Sequence, residues 1–233
     1  MANFVTLINQ LLVRLNEVNL DTLGEGFDTT RGVQSLAKDA INSSIQMILQ
    51  NGQEWPFLKV TSTQTLSPGQ VTYSFPADYS DADFDTFFLK KSVSLNNSAK
   101  SLRQITYEDY VQNYRVADDN GPEEGRSIPE NIFKTYDSGF GLTPSPDKGY
   151  EVEYSYWTLP VDLAAFNDTS IIPDRYNYVI IDGAMMIMMR FRSNEQSAAI
   201  HQQNFETGIK TMRRILLDEP VYVRSTVVNH NAR

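Results

Sequence analysis

Hydrophobic and polar positions alternate along residues 173–220, PDRYNYVIIDGAMMIMMRFRSNEQSAAIHQQNFETGIKTMRRILLDEP, with a period that predicts two helices joined by a tight turn. Tyr176, Val179, Ile180, Gly183, Ala184, Ile187, Met188 and Phe191 recur at helical spacing in the first. Ile181, Met185, Met186 and Met189 fill its opposite face, so this helix belongs in a core or between subunits. Pro173 suits a first helical turn, where its missing N–H costs nothing. The apolar run is short for a membrane span and is broken by Asp182. Ser193 and Gln196 have the spacing of a capping box for the second helix, whose inward face is expected to be His201, Phe205, Gly208, Met212 and Leu216. Pro220 then stops it.

The same period marks the N-terminal region. Phe4, Leu7, Ile8, Leu11, Leu12, Leu15 and Val18 predict a helix ending near Val18. The Gly-, Asp- and Thr-rich segment LDTLGEGFDTTRG reads as a loop, with Thr29 or Thr30 as cap for a second helix that carries Val33, Leu36, Ala37, Ile41, Ile45, Ile48 and Leu49. Asn51 and Gly52 suit a left-handed helix end.

After Trp55-Pro56 the period changes to two. Leu58 and Val60, then Val71, Tyr73 and Phe75, predict a hairpin across the turn Ser67-Pro68-Gly69-Gln70. Phe87, Leu89, Val93 and Leu95 predict a further strand, and Thr106 caps a short helix reaching Tyr114. The charged run VADDNGPEEGRSIPE is expected to be an exposed loop. Residues 132–136 and 140–143 predict a second hairpin around Asp137-Ser138-Gly139, and Val152, Tyr154 and Tyr156 give the cleanest strand. The expected fold is therefore α+β: a helical bundle from N- and C-terminal helix pairs, residues 1–56 and 171–219, with an inserted antiparallel β domain over residues 57–170. Residues 220–233 are expected to form an extended C-terminal tail.

Composition narrows the function. The 233 residues carry 29 acidic against 20 basic side chains, a net charge of −9, which disfavours a free-standing nucleic-acid binder. The absence of cysteine excludes disulfides, thiolate zinc sites and thiol nucleophiles, and fits maturation in a reducing cytoplasm. The N-terminus lacks the basic start and unbroken apolar centre of a secretory signal.

Candidate chemistry is sparse. Asp81, Asp83 and Asp85 open like a calcium loop, but Thr86 stands where the turn needs Gly and Ser92 where calcium needs Glu, so an acidic solvated loop is the better reading. Gly24-Glu25-Gly26 lacks the third glycine and the preceding strand of a dinucleotide-binding turn. His201 and His230 are the only histidines, and the pairs Asp118-Asp119 and Glu123-Glu124 are adjacent residues, poorly placed for acid and base on opposite sides of a bond. No catalytic, cofactor-binding or metal-ligating residue is assigned, no cofactor is expected, and the chain reads as a non-enzyme. The excess of tyrosine and phenylalanine on strands points to core or subunit interface before a sugar platform.

Three stretches, AINSSIQMILQNGQEWPFL, FKTYDSGFGLTPSPDKGYEVEYSYW and the helix pair IPDRYNYVIIDGAMMIMMRF with NFETGIKTMRRIL, resemble the head-to-tail adaptors of short-tailed bacteriophages, the tail tubular protein A or gatekeeper-like group. The resemblance covers roughly residues 29–218. It implies a structural virion protein of the neck or tail, assembled in the host cytoplasm, and a homo-oligomeric ring, commonly of twelve subunits. That ring would sit between portal protein and tail nozzle, away from membranes, with DNA passing through and no sequence-specific contact. A neck or tail-completion protein of a long-tailed phage is the neighbouring alternative. A carbohydrate-active protein or lectin using tyrosines, Trp157 and Asp pairs is the alternative from another class. The β-prone segment after Pro220 supplies the candidate assembly contacts Val221, Tyr222, Val223, Val227 and Val228.

Overall fold

The structure is a computed structural model, and it describes residues 2–20, 27–51, 54–90, 99–120 and 125–217, with the side chains of residues 119 and 120 set aside. The chain is α+β and divides into two compact units, Met1–Pro56 with Asp162–Arg233, and Phe57–Val161.

The first unit is helical: α1 (Phe4–Arg14), α2 (Val33–Leu49), α5 (Asn177–Phe191) and α6 (Glu195–Leu216). Asn3 caps α1 by accepting from the Thr6 N–H. The helix stops at Arg14, short of the expected Val18, because Asn16 turns left-handed at φ 56° and leaves Val18 exposed. Gly32, at φ 63°, precedes α2 in place of a threonine cap, and the Thr30 hydroxyl instead donates to the Phe27 carbonyl. The far end of α2 is Gln50 rather than a left-handed Asn51; Gly52 lies outside the described residues.

α5 begins after a short 3₁₀ turn, Asp174–Tyr176, that Pro173 introduces. It is buried on nearly every side within its own unit, through Val179, Ile180, Ile181, Gly183, Ala184, Met185, Met186 and Met188. Ile187 is only half-buried and Phe191 is 67% exposed, so the helical stripe drifts out of the core towards its C-terminal end. Gly183 lies where α2 and α6 both pack on α5: a Cβ there would stand 2.2 Å from Ser44 Oγ and 2.8 Å from the Phe205 ring. Asn194, one residue later than the expected capping box, caps α6 by accepting from the Ser197 N–H, while Ser193 makes the turn at φ 56°. Phe205, Gly208 and Met212 are buried as expected, joined by Ala198 and Ile209. The segment from Asp162 onward is held to α2, with Asn42 donating to the Leu163 carbonyl and accepting from its N–H.

The second unit holds two four-stranded sheets. One has the order β1 (Lys59–Thr65), β8 (Glu151–Thr158), β3 (Tyr79–Leu89), β4 (Lys100–Ser101). The other has the order β2 (Thr72–Ser74), β7 (Gly139–Thr143), β6 (Asn131–Lys134), β5 (Arg103–Gln104). All pairs are antiparallel except the short β5–β6 pair. The inward faces meet in an aromatic core in which Phe87 stacks on Tyr154 at 4.6 Å and Phe75 on Tyr79 at 4.0 Å, while Phe140 meets Phe87 edge-on at 5.3 Å. Thr106 caps α3 (Tyr107–Asn113) as its sequence indicates.

Three expectations for this unit are overturned. β1 and β2 do not form a hairpin; the Ser67–Gln70 turn, with Gly69 at φ 75°, carries the chain from one sheet to the other, and each strand pairs with a distant partner. Asp81, Asp83 and Asp85 lie on β3 rather than in a loop, alternating with buried Ala82 and Phe84. The charged run starts as a helix, α4 (Arg115–Asn120), because the Asp118 carboxylate accepts from the Thr143 hydroxyl at 2.7 Å and the Ser145 N–H at 2.8 Å. Val93 and Leu95 lie outside the described residues.

Candidate assembly surfaces

The groups that might have carried chemistry are spent on structure. Asp83 pairs with Lys59 at 2.7 Å and Asp81 with Lys134 at 3.2 Å, each carboxylate turned to a lysine and not to its neighbours. Among the described residues no group of three or more His, Asp or Glu side chains is placed to hold a metal ion. His201 faces Asp182 at 3.1 Å, and Asp182 also meets Arg14 at 3.4 Å, so the one acid in α5 ties α1, α5 and α6 together. Glu123 and Glu124 lie outside the described residues. Among these residues no helix is long and apolar enough to cross a membrane.

The tyrosines are mostly core. Tyr73, Tyr150, Tyr154 and Tyr156 are buried, and burial raises the pKa of each phenol. Tyr150 is pushed up to about 12, by burial first and by its hydrogen bond to the Asp147 carboxylate. Trp157 packs under the Lys59 ammonium at 5.0 Å. A second group, Tyr107, Tyr110 and Tyr136, borders a trough of about 440 Å³ beside the edge strand β2, where Tyr110 stacks on Phe133 at 4.0 Å.

The β unit has an exposed outer edge at β1. The pairing Lys59↔Trp157 through Thr65↔Glu151 continues to a bond from the Leu66 N–H to the Tyr150 carbonyl. In an antiparallel ladder hydrogen-bonded pairs alternate with non-bonded pairs, so Leu66, Gln64, Ser62 and Val60 direct their backbone groups at β8. The N–H and C=O groups of Lys59, Thr61, Thr63 and Thr65 therefore point away from the sheet. The Lys90 N–H bond to the Glu151 carbonyl fixes the same phase from the other side, since Glu151 turns its groups to β3. β1 ends its sheet, and its side chains are exposed or half-buried along its whole length.

A family model described as SU10 adaptor protein matches residues 2–227, nearly the whole chain and both units. The chain belongs to the SU10 adaptor protein family. No curated protein matches it. The adaptor is a structural virion protein, a head-to-tail connector that works with portal and tail proteins, and it is not an enzyme. Sequence reasoning missed the β1 edge, whose one signal is seven residues, KVTSTQT, with β-branched side chains at four positions and a single charge. The candidate contacts Val221, Tyr222, Val223, Val227 and Val228 lie outside the described residues.

Proposed function

We propose that the adaptor assembles in the host cytoplasm as a ring of twelve copies between the portal and the tail nozzle, with the genome passing through the ring without sequence-specific contact. Residues 1–56 and the segment from 162 to about 219, which starts nine residues before the expected boundary at 171, act as the helical body of each copy, and 57–161 as its insertion. Residues 220–233 act as an arm that reaches another subunit through Val221, Tyr222, Val223, Val227 and Val228. The observation that supports this most is the reach of the family match, which runs to residue 227 and so takes in most of the arm. The net charge of −9 fits a wall past which DNA slides.

The test compares the full chain with one lacking residues 220–233, by sedimentation and by capture on purified portal. The full chain is expected at twelve times the monomer mass, and the truncated chain as a folded monomer that docks weakly. A truncated chain that assembles and docks as well as the full one would remove the arm. A truncated chain that fails to fold would make the segment part of the body.

A further inference from the structure

We propose that the outer edge of β1 is the acceptor for this arm: residues 221–229 of one copy add as a strand beside Lys59–Thr65 of another. The inference rests on the arm reading above and supplies the surface that reading lacks.

Four successive outward-facing residues, Lys59, Thr61, Thr63 and Thr65, offer four donors and four acceptors in one straight row, along about 23 Å at the usual rise per strand residue. Edge strands are ordinarily protected by proline, by a bulge, by shortness or by an inward charge. β1 has none of these. It has seven residues, no proline and an unbroken register with β8, and its one charge, Lys59, is held by Asp83. The other ends of the two sheets differ, since β2 has three residues and β4 and β5 two each. Among the described residues, then, β1 is the edge with room for a strand of about seven residues.

The occupant follows from what remains of the chain. α6 ends at Leu216, and the 17 residues beyond it include VYVRSTVVN, whose β-branched and aromatic content suits a strand and whose length is enough to span β1. Added beside β1, alternate side chains of such a strand extend the two faces of the sheet. Val221, Val223 and Val227 fall on one face, beside half-exposed Val60. Tyr222, Arg224 and Thr226 fall on the other, beside the threonines. Two β1 edges pairing with each other would give a closed two-fold dimer, whereas arm on edge is a head-to-tail contact that repeats around a ring.

The chain has no cysteine, so single cysteines report the contact directly. Thr63→Cys in one full-length chain and, in a second, Tyr222→Cys, Arg224→Cys or Thr226→Cys, the positions that share the threonine face, are mixed under mild oxidation. A disulfide-linked heterodimer is expected for at least one pair. Thr63→Pro deletes an outward N–H and leaves the β1–β8 ladder whole, so it is expected to keep the melting curve and weaken assembly as much as loss of residues 220–233, with no further loss when the two are combined. Cross-linking only between two Thr63→Cys chains, or no adduct with position 63, overturns the proposal, as does normal assembly of Thr63→Pro. If those results come with weak assembly of the truncated chain, the arm stands and only its acceptor is wrong. If truncation has no effect, the arm reading itself fails.

Discussion

Replacing Gly183 with alanine tests the packing of the helical unit where α2, α5 and α6 meet. By helix propensity alone the change should stabilise α5 by about 1 kcal/mol, since glycine is the poorest ordinary helix former. The structure predicts the opposite sign. The new methyl would lie 2.2 Å from Ser44 Oγ and 2.8 and 2.9 Å from two carbons of the Phe205 ring, all on neighbouring helices that are themselves packed. Ser44 is fully buried, and its hydroxyl donates to the Ile180 carbonyl at 2.8 Å, so it cannot swing away without giving up that bond. Overpacking of this kind costs about 1–3 kcal/mol, and a buried hydroxyl left without its partner about 1–3 more. Set against the propensity gain, the net loss is about 1–5 kcal/mol. Ser44→Ala removes the clashing oxygen, and the Ile180 carbonyl still has its helical partner, so the double variant should recover part of the loss, with a coupling of about 1 kcal/mol or more. Urea unfolding of the four chains, followed by far-ultraviolet circular dichroism, gives the cycle. A Gly183→Ala chain as stable as the parent, or additive single effects, would refute the placement of Gly183 between α2 and α6.

Met188→Asp, at a position with no exposed surface, should prevent folding of the helical unit, while Ile187→Asp, half-exposed, should be milder; near-ultraviolet circular dichroism and thermal melts distinguish them. Phe87→Ala should cost about 3–5 kcal/mol in the β unit, by loss of a fully buried ring stacked on Tyr154, read as a lower urea midpoint. Because burial raises the phenol pKa of Tyr150 above its unfolded value, its contribution is whole below pH 10 and is lost as pH rises towards about 12; Tyr150→Phe should flatten the fall of stability across that window. Dialysis against a chelator should leave the melting curve unmoved, since Asp81 and Asp83 are paired with lysines; a large shift would mean that a bound ion contributes to folding.

Where the sequence was read well, the signal was local and periodic. The alternation of Val152, Tyr154 and Tyr156 marks the central strand β8, and the all-round apolar character of residues 179–188 marks the most buried helix, because burial on both sides leaves no polar face to confuse the period. Thr106 and the Asp137-Ser138-Gly139 turn are likewise short-range devices. The failures share a long-range cause. The turn at Ser67–Gln70 has the same chemistry whether it closes a hairpin or carries the chain to another sheet, and only β8 and β7, some 70–90 residues on, decide between them. The helix at Arg115–Asn120 depends on Thr143 and Ser145 meeting Asp118. The aspartates of β3 do alternate with Ala82 and Phe84, so the period of two was present but concealed by the acidity of its solvent face. The edge of β1 is hidden for a related reason, since an outward-pointing backbone group leaves no trace in side-chain pattern.

Electron cryomicroscopy of the virion neck tests the account most directly. The account predicts one ring between portal and nozzle, with twelve copies each resolving into a four-helix unit and a two-sheet unit around the channel. Particles in which the protein is absent from the junction, or is present there as scattered single copies without a ring, would contradict it.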